Sequence, residues 1–574
     1  MITFRSSRPT SAPPLRRRRH AAGLVSALLL APLLGAPADA AEPAPVPDYP
    51  PLGPAFPLGD GSAPKSGLTQ LAPGVTYRVF SQGAADGSWA VWVRYADGQE
   101  MTTSTTTAET RAKELRDAGF PAAAVVPLPS PATADTKAMT LYGVHLTGYP
   151  TADAANAART ALNTAGFPST RTFFTAETDP ASKGPWQIRV ITVAPGAQVD
   201  VRAEHGTDVS GSQTVKQMAA PLGALAAVNG AEFDIDSVNN PGFMGYEGVP
   251  QGLYVRDGVL LGAANNGRTA LLMNAAGGGH RIAETSTRTW LSVPGKGERD
   301  ADGINRVTGQ VLGCGTPGDL LETSPGVSAP RPTPLRNAVC HDPDDIVIFR
   351  PEWGATTPAP APRWAGTPMT EVVTDGSWKV VTVRHTPGAV PAGGRVIQGI
   401  GTGGAWLDTL VPGDRITPRT TITDAAGASV TSSKLSAVAG GTPALLRDGE
   451  IMLNPAANGM AHVSCAKPDP LTCRPSAALT SRHPRTLAGI SPDGHLMLVT
   501  IDGRNPAHSV GATLVEAAQV MKWLGARDAV GLGSGGDTTL VVNGSLYNRP
   551  WDQWQDTAPR ERPMSTAVVV VPRA

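Results

Sequence analysis

The 574-residue chain carries 48 lysines and arginines and 48 aspartates and glutamates, a formal net charge of +0. Because binding to DNA or to an anionic membrane surface depends on clustered positive charge, this balance excludes nucleic acid and such membranes from the predicted partners. The length exceeds the ~100–200 residues of one ordinary domain, so we expect two globular units.

The first 40 residues have the organisation of an export signal. Arginines at 16–19 precede an apolar segment at 21–34, and the small residues Ala38 and Ala40 provide a cleavage site before Ala41. The apolar segment is shorter than the ~20 residues needed to cross a bilayer, and no later segment is apolar for long enough. We therefore expect an exported, soluble product without a membrane span.

Residues 41–75 are rich in proline and glycine, which predicts an extended linker. Residues 76–178 then contain one pattern twice: a strand, a helix that ends at Gly-Phe-Pro, and a second strand. The predicted elements are strands at 89–95 and 122–128 around a helix at 107–118, and strands at 141–146 and 170–175 around a helix at 152–165.

These two strand-helix-strand units resemble the sporulation-related repeat (SPOR) domain, which binds glycan strands of peptidoglycan. The resemblance implies that peptidoglycan or another cell-wall glycan is a partner. Strand alternation places Trp92 and Arg94 on one face and Val91 and Val93 on the other. We expect Trp92 and Arg94 to be the exposed, glycan-binding pair; the alternative is that the aromatic residues pack the sheet against its helices.

From Trp186 onward the sequence favours short strands joined by glycine turns. One helix is predicted after Gly511 by the capping box of Thr513 and Glu516. Its expected buried stripe is Leu514, Ala517, Ala518, Met521 and Leu524. The predicted fold class is α+β: a two-repeat βαβ unit followed by a larger, strand-rich unit over residues 185–574.

The chain has four cysteines, an even number that in an exported protein favours disulfides over a metal site. Three pairings are possible. We expect Cys314 with Cys340 and Cys465 with Cys473, because each pair brackets a single loop-like segment. No cofactor is expected, although the oxygen-rich loop at 341–345 leaves calcium open.

Polar residues follow the apolar strands near the C-terminus. Asp502-Gly503-Arg504 comes directly after the predicted strand at 496–501, and Gly535-Gly536-Asp537-Thr538 directly before the one at 539–542. Strand ends held by a rigid sheet are where binding and catalytic side chains commonly project. The sequence therefore predicts an active site in the last ninety residues.

Three blocks carry a resemblance to the phosphodiester glycosidase family over about residues 185–574. They are Asn229-Gly230-Ala231-Glu232-Phe233, the glycine-rich run at 531–539, and Glu561-Arg562-Pro563-Met564-Ser565. The resemblance implies a hydrolase that cleaves the glycosidic bond of a sugar phosphodiester. The family's aspartate falls on Gly533 and its serine on Asp537, so a carboxylate has moved by four positions; the first phenylalanine of the opening block falls on Glu232.

Such a reaction needs a carboxylate beside the developing positive charge of the anomeric carbon and arginines at the phosphate. We expect Asp502, with Glu232 or Asp537, to be catalytic. Glu561 has a second interpretation, a salt bridge that orients Arg562, and Asn229 a second one as a turn former. The expected substrate-binding residues are Asn229, Arg485, Arg504, Thr538, Glu561 and Arg562.

The moved carboxylate leaves two functions open. One is a secreted, wall-associated hydrolase, and the other is a carbohydrate-binding wall protein that has kept the fold without turnover. Nucleotide binding is excluded because no Lys-Ser or Lys-Thr follows the glycines at 535–536. A serine hydrolase is excluded because Ser534 lacks the Gly-x-Ser-x-Gly spacing.

Overall fold

The computed structural model describes residues 49–167, 171–235, 248–336, 338–460 and 477–573. The export signal predicted over 1–40 and the predicted pairing of Cys465 with Cys473 lie outside these residues. The described residues all belong to one compact unit, Pro47–Ala574.

Strands dominate the described part of the chain and helices are few. The helices are α1 (Thr105–Asp117), α2 (Ala152–Thr164), α3 (Val215–Ala219), α4 (Gly401–Asp408) and α5 (Leu514–Trp523). The strands are β1 (Lys65–Ala72), β2 (Val75–Gln82), β3 (Trp89–Val93), β4 (Ala123–Ser130), β5 (Met139–Tyr149), β6 (Arg171–Phe174), β7 (Trp186–Val193), β8 (Val199–His205), β9 (Ala226–Asn229), β10 (Tyr254–Arg256), β11 (Val259–Gly262), β12 (Arg268–Met273), β13 (Arg281–Val293), β14 (Gly297–Ala301), β15 (Gly303–Ile304), β16 (Gln310–Leu312), β17 (Leu320–Ser324), β18 (Val327–Pro330), β19 (Val339–His341), β20 (Ile346–Phe349), β21 (Met369–Thr374), β22 (Val380–Arg384), β23 (Arg395–Ile400), β24 (Thr417–Asp424), β25 (Ser436–Ala439), β26 (Ala444–Arg447), β27 (Glu450–Ile451), β28 (Arg485–Ile490), β29 (Leu496–Ile501), β30 (Asp528–Gly531), β31 (Leu540–Val542), β32 (Ser545–Leu546) and β33 (Thr566–Pro572).

The two predicted strand-helix-strand repeats form one four-stranded antiparallel sheet in the order β4-β5-β3-β6. We call this part, from β3 to the 3-10 turn Thr175–Glu177 that follows β6, the βαββαβ unit. Both helices begin at a side-chain cap, Ser104 for α1 and Thr151 for α2. They pack apolar side chains on one face of the sheet, so the predicted elements of the two repeats are confirmed.

The opposite face of this sheet is also covered. Trp92, Leu128 and Phe173 are buried in the same core as Trp186 of β7 and Met521 of α5. The expectation that Trp92 is exposed was therefore wrong: its exposed fraction is 0%, because the rest of the chain packs on the face that alternation left free.

Arg94, the other half of the expected glycan-binding pair, keeps a side chain that is 41% exposed and lies 3.2 Å from Glu100. The two members of the pair therefore have different environments. Of the two, Arg94 alone is accessible to a ligand in solution.

The largest sheet has eight strands in the order β1-β2-β7-β29-β28-β30-β26-β27. The βαββαβ unit is inserted between β2 and β7, which are direct neighbours. The predicted linker was wrong over Lys65–Ala72, which forms an edge strand paired with β2. Its side chains are mostly exposed, so it lacks the apolar signal of a strand.

A five-stranded sheet, β32-β31-β9-β33-β8, packs on one face of the large sheet. Helix α5 covers the other face, and its predicted stripe is buried. The capping box of Thr513 and Glu516 is formed as predicted. Because the two sheets pack face to face, the polar ends of their central strands meet at one edge of the sandwich.

The middle of the chain builds further sheets around β10–β25. A small sheet in the order β16-β19-β17-β18 carries the disulfide between Cys314 and Cys340, which confirms the predicted pairing. Their Cα atoms are 5.2 Å apart. Strands in excess of helices confirm the mostly β, α+β fold class. None of the helices in the described ranges has the length and apolar character needed to span a membrane.

Candidate functional site

The candidate site lies where strands of the two packed sheets end. Arg485, the first residue of β28, pairs with Ile501, the last residue of β29. In the five-stranded sheet, Val228 pairs with Leu540, which places Asn229 beside the glycine-rich loop that precedes β31. Loops at 480–484, 502–513 and 532–539 therefore converge at this edge.

Asn229 is fully buried and connects three segments. Its Nδ2 donates to the carbonyl oxygen of Gly533 (2.8 Å), while its Oδ1 accepts from Thr486 Oγ1 (2.6 Å) and from the backbone N–H of Thr539 (3.1 Å). These contacts engage the amide within the protein. Asn229 therefore positions the glycine-rich loop, where the sequence led us to expect a substrate contact.

Asp537 lies beside position 533, where the resemblance places the family's aspartate. A Cβ built on Gly533 would lie 3.0 Å from Asp537 Oδ2 and 3.0 Å from Asn229 Nδ2. Asp537 thus fills the volume that a side chain at position 533 would enter. Burial raises the pKa of Asp537, while the Arg562 guanidinium, whose Nη1 lies 2.6 Å from Asp537 Oδ1, opposes that increase.

Arg562 is held between two carboxylates. Nη1 donates to Asp537, and Nη2 donates to Asp552 Oδ1. A Cβ on Gly536 would lie 2.6 Å from Arg562 Nη2, so the glycine makes this close approach possible.

Glu561 lies apart from this group. Its carboxylate accepts from the backbone N–H of Lys216 (3.1 Å), in the first turn of α3. Arg562 is oriented by Asp537 and Asp552. The second interpretation of Glu561, a salt bridge that orients Arg562, is therefore not what the structure shows. The expected substrate contact of Glu561 is replaced by a helix contact.

His483 lies among four arginines. Arg504 Nη2 is 3.3 Å from His483 Nδ1. Since a guanidinium only donates hydrogen bonds, Nδ1 accepts, and the proton of the neutral ring is on Nε2. Burial lowers the pKa of His483 well below its usual value, and nearby positive charges add to this effect; they belong to Arg504, Arg485, Arg171 and Arg336. An uncharged imidazole is thus surrounded by arginine charges, two of which are paired with carboxylates: Arg171 with Glu177 and Arg336 with Glu232.

Arg504 and Arg485 differ in what they offer a ligand. Arg504 also donates Nη1 to the backbone carbonyl of Asp552, and its side chain keeps 17% exposure. Arg485 is buried and donates to the carbonyl oxygens of Ala512 (2.9 Å) and Ala478 (3.3 Å). Burial, reinforced by Arg336 and Arg504, lowers the pKa of Arg485 to about 9. Arg485 thus contributes charge and loop anchoring, whereas Arg504 can reach a ligand.

Glu232 is paired with two arginines, the buried Arg268 and the partly exposed Arg336. Arg336 donates to it through Nε (2.8 Å) and Nη2, and Arg268 through Nη2 (3.1 Å). Burial lowers the pKa of both arginines to about 10. Glu232 therefore acts as the counter-ion that holds Arg336. Because these ion pairs occupy its carboxylate, the structure argues against the direct catalytic role that was predicted for Glu232.

Asp502 is fully buried, and its Oδ2 lies 2.6 Å from Arg189 Nη1 and 2.7 Å from His508 Nε2. The backbone N–H of Arg549 also donates to it (3.3 Å). Its neighbour Arg504 contacts His483 and Asp552 instead, so the two side chains do not share the partners expected of a common cleft. Asp502 ties β7 and β29 to the loop that begins at residue 549.

Thr538 is fully buried, and its carbonyl oxygen accepts from Asn548 Nδ2 (2.8 Å). Together with the contact between Asp502 and Arg549, this bond fixes the same loop at its start. Thr538 therefore supports the wall of the site from inside the protein.

A set of carboxylates with metal-ligand spacing exists elsewhere in the described chain. Oxygens of Asp302, Asp342 and Asp345 lie within 4.8 Å of one another. Arg306 provides a counter-charge through two contacts with Asp345, at 2.6 and 2.8 Å. Burial together with Asp345 raises the pKa of Asp302 to about 8 and of Asp342 to about 7. We assign no metal to this cluster.

No sequence motif predicted His483, Arg336 or Arg171 as site residues. His483 is two residues before Arg485 and could have been noticed as a polar residue near a strand start. Arg336 and Arg171 come from segments distant in sequence, and only the packing brings them to the site.

Comparison with known proteins finds one matching family model, over the C-terminal part of the chain. Residues 369–571 match the model of the phosphodiester glycosidase family. This range contains Arg504, Asp537 and Arg562, whereas Asn229 and Arg336 precede it. A search of curated proteins returned no match.

Among solved structures, a candidate exported protein from Burkholderia pseudomallei K96243 is similar, with a TM-score of 0.77 and 28% identity over 91% of this chain and 99% of that chain. A hypothetical protein from Synechocystis has a TM-score of 0.47 and 16% identity over 89% of this chain and 79% of its own. The third structure is the catalytic domain of zebrafish N-acetylglucosamine-1-phosphodiester alpha-N-acetylglucosaminidase, auto-inhibited by its pro-peptide. It has a TM-score of 0.26 and 12% identity over 86% of this chain and 88% of that chain.

Proposed function

We propose that this protein is a secreted phosphodiester glycosidase, which hydrolyses the bond between the anomeric carbon of a sugar and a phosphate diester. The observation that carries the proposal is the arginine cluster around neutral His483, next to the ion pair of Asp537 and Arg562. An anion site beside a buried carboxylate matches the two needs of this reaction. The family match over residues 369–571 supports the same class.

The positively charged groups would bind the phosphate. Arg336, Arg504 and Arg562 retain exposures of 17%, 17% and 26%, so their guanidinium groups can reach a ligand. Planar guanidinium groups bind phosphate oxygens in pairs. His483 would add its Nε2–H as an uncharged donor, so it strengthens the site without the cost of another buried charge.

Asp537 would serve the sugar. As the C–O bond to phosphate breaks, positive charge develops at the anomeric carbon, and a nearby carboxylate stabilises it. The phosphate leaves as an anion that the arginines already neutralise, so it needs little help from an acid. A water oxygen takes its place on the anomeric carbon, which gives a free sugar and a phosphate monoester.

The test uses the purified protein and a panel of synthetic sugar-1-phosphate diesters that vary in sugar and in alcohol. We expect sugar release from at least one sugar class, with saturation kinetics. No release across the panel, together with binding to peptidoglycan strands stripped of peptides, would overturn the proposal in favour of a non-catalytic wall-binding protein.

We also propose that the protein is exported and associates with cell-wall glycan, which the export-type sequence at 1–40 and the βαββαβ order support. Buried Trp92 cannot make the contact, so Arg94 and other exposed parts of the unit would. The protein should co-sediment with stripped glycan strands, and Arg94→Ala should weaken that. Absence of co-sedimentation at low salt contradicts this targeting.

A further inference from the structure

We propose that the βαββαβ unit completes the active site, with Glu177 as a positioning residue for the loop that carries Asp552. The kinetic part of this inference rests on the proposed function. Its structural part stands on contacts alone, since the unit and the loop are joined by buried hydrogen bonds.

Glu177 is the anchor on the side of the βαββαβ unit. It ends the 3-10 turn Thr175–Glu177, directly after β6, and is fully buried. Its carboxylate accepts from Arg171 Nη1 (2.9 Å) and Nη2 (2.6 Å), and also from Trp554 Nε1. Burying a carboxylate is costly unless its oxygens are paired, and these three contacts pair both oxygens of Glu177.

Trp554 transmits this anchor to the site. Its ring stacks on Phe174 with centroids 6.2 Å apart, and its indole N–H goes to Glu177. Two residues earlier in the same loop, Asp552 binds Arg504 through its carbonyl oxygen and Arg562 through its carboxylate. A shift of Trp554 would therefore displace the group that orients two arginines of the phosphate site.

A second link runs through Arg482, the residue before His483. Arg482 Nη1 donates to the carbonyl oxygens of Ala176 and Asp179, both at 2.6 Å. Its Nη2 is 2.6 Å from Glu516, at the start of α5. The segment at 176–179 thus holds the chain on both sides of the site: the loop with Asp552 and the segment with His483.

Charge supplies a third link. Arg171 is one of the positive charges that act on His483, and Glu177 acts on Arg504. Arg171 itself stacks over Trp92, 4.5 Å from the ring centroid. The face of the sheet expected to bind glycan therefore serves the active site.

The test compares Glu177→Ala, Glu177→Gln and Trp554→Phe in the full chain, with Glu114→Gln as the control. Glu114 is an acidic residue of the same unit whose side chain is 51% exposed. We expect Glu177→Ala and Trp554→Phe to lower kcat by about tenfold or more, since small displacements of positioned groups are costly. Glu177→Gln keeps an acceptor for Trp554 and should recover part of the loss, and the control should match wild type.

Binding of inorganic phosphate, measured by calorimetry, gives a readout that does not need turnover. We expect Glu177→Ala and Trp554→Phe to weaken it at least severalfold, with melting curves that show folded protein. If Glu177→Ala does not fold, the milder Trp554→Phe decides. Folded variants with wild-type phosphate affinity and kinetics would overturn the positioning role. A wild type that binds phosphate but releases no sugar would overturn the proposed function, and the phosphate affinities would still decide the role of Glu177.

Discussion

Residues 533 and 537 share one volume at the site, because a Cβ on Gly533 would lie 3.0 Å from Asp537 Oδ2. We predict that Asp537→Ser lowers kcat/KM by about 10²-fold or more, as expected for loss of a charge-stabilising group. The double variant Gly533→Asp/Asp537→Ser should recover part of that loss, since the shorter serine makes room for the new carboxylate. Steady-state kinetics on a diester substrate measure both.

The matched control for this pair is Gly533→Asp alone, which should be folded but crowded against Asp537. Equal inactivity of the double variant and of Asp537→Ser, in folded protein, would contradict the idea that one carboxylate position serves both sequences.

Arg504 is the arginine whose two Nη atoms reach both His483 and the loop of Asp552. We predict that Arg504→Ala lowers kcat/KM by about 10²-fold or more while the melting temperature changes little, and that Arg504→Lys recovers only part because it lacks the planar fork. The control is Arg288→Ala, whose side chain is 65% exposed and paired at the surface. Wild-type kinetics in folded Arg504→Ala would remove Arg504 from the phosphate site.

At the scale of elements, Asp502 joins β29 to β7 through Arg189 and receives His508 and the backbone of Arg549. Removing one partner of a buried ion pair leaves an uncompensated charge. We therefore predict that Asp502→Ala lowers the free energy of unfolding by about 3–5 kcal/mol. Urea denaturation measures this change. A stable Asp502→Ala variant without activity would instead restore the catalytic role that the sequence suggested.

Elements with strong local signals could be predicted from the sequence. The capping box at Thr513 and the apolar stripe after it define α5, and the repeated Gly-Phe-Pro ends define α1 and α2. The edge strand Lys65–Ala72 could not, because its stability comes from backbone pairing with β2 and not from apolar side chains.

The candidate site was predictable only in part, because some of its residues come from segments that are distant in sequence. Arg504, Asp537 and Arg562 come from loops near each other in sequence and lie together as expected. Arg336 and Arg171 reach the site through tertiary packing of distant segments, which no local pattern records. The exposed face of the βαββαβ unit was also undecidable, since alternation separates two faces without saying what covers each.

At the scale of the whole molecule, buried histidines predict how stability depends on pH. Burial lowers the pKa of His145 to about 3, with Arg171 adding to the effect, and lowers the pKa of His205 to about 3, with Arg256 adding. The unfolded chain binds a proton at each histidine near pH 6.5, whereas the folded chain does not. The two neutral histidines therefore make their full contribution to the free energy of unfolding above pH 6.5, and this contribution is lost as the pH falls. At pH 5.5 each of the two histidines should lower the free energy of unfolding by about 1.4 kcal/mol relative to neutral pH.

Melting curves between pH 7.5 and 5.5 check this expectation. Asp302 and Asp342, whose pKa values are raised to about 8 and about 7, add stability as the pH falls through the same range, so wild type is compared with His145→Gln. The melting temperature of His145→Gln should fall less than that of wild type on the acid side of pH 6.5. An equal acid-side fall in wild type and in folded His145→Gln would mean that His145 becomes protonated within the folded protein.

The most direct test of the central claim is hydrolysis of a sugar-1-phosphate diester in water enriched in ¹⁸O, followed by ³¹P NMR and mass spectrometry of the products. Attack at the anomeric carbon predicts ¹⁸O in the released sugar and a phosphate monoester signal without an isotope shift. Label in the phosphate, together with sugar-1-phosphate as product, would show cleavage of the P–O bond and would contradict a glycosidase assignment.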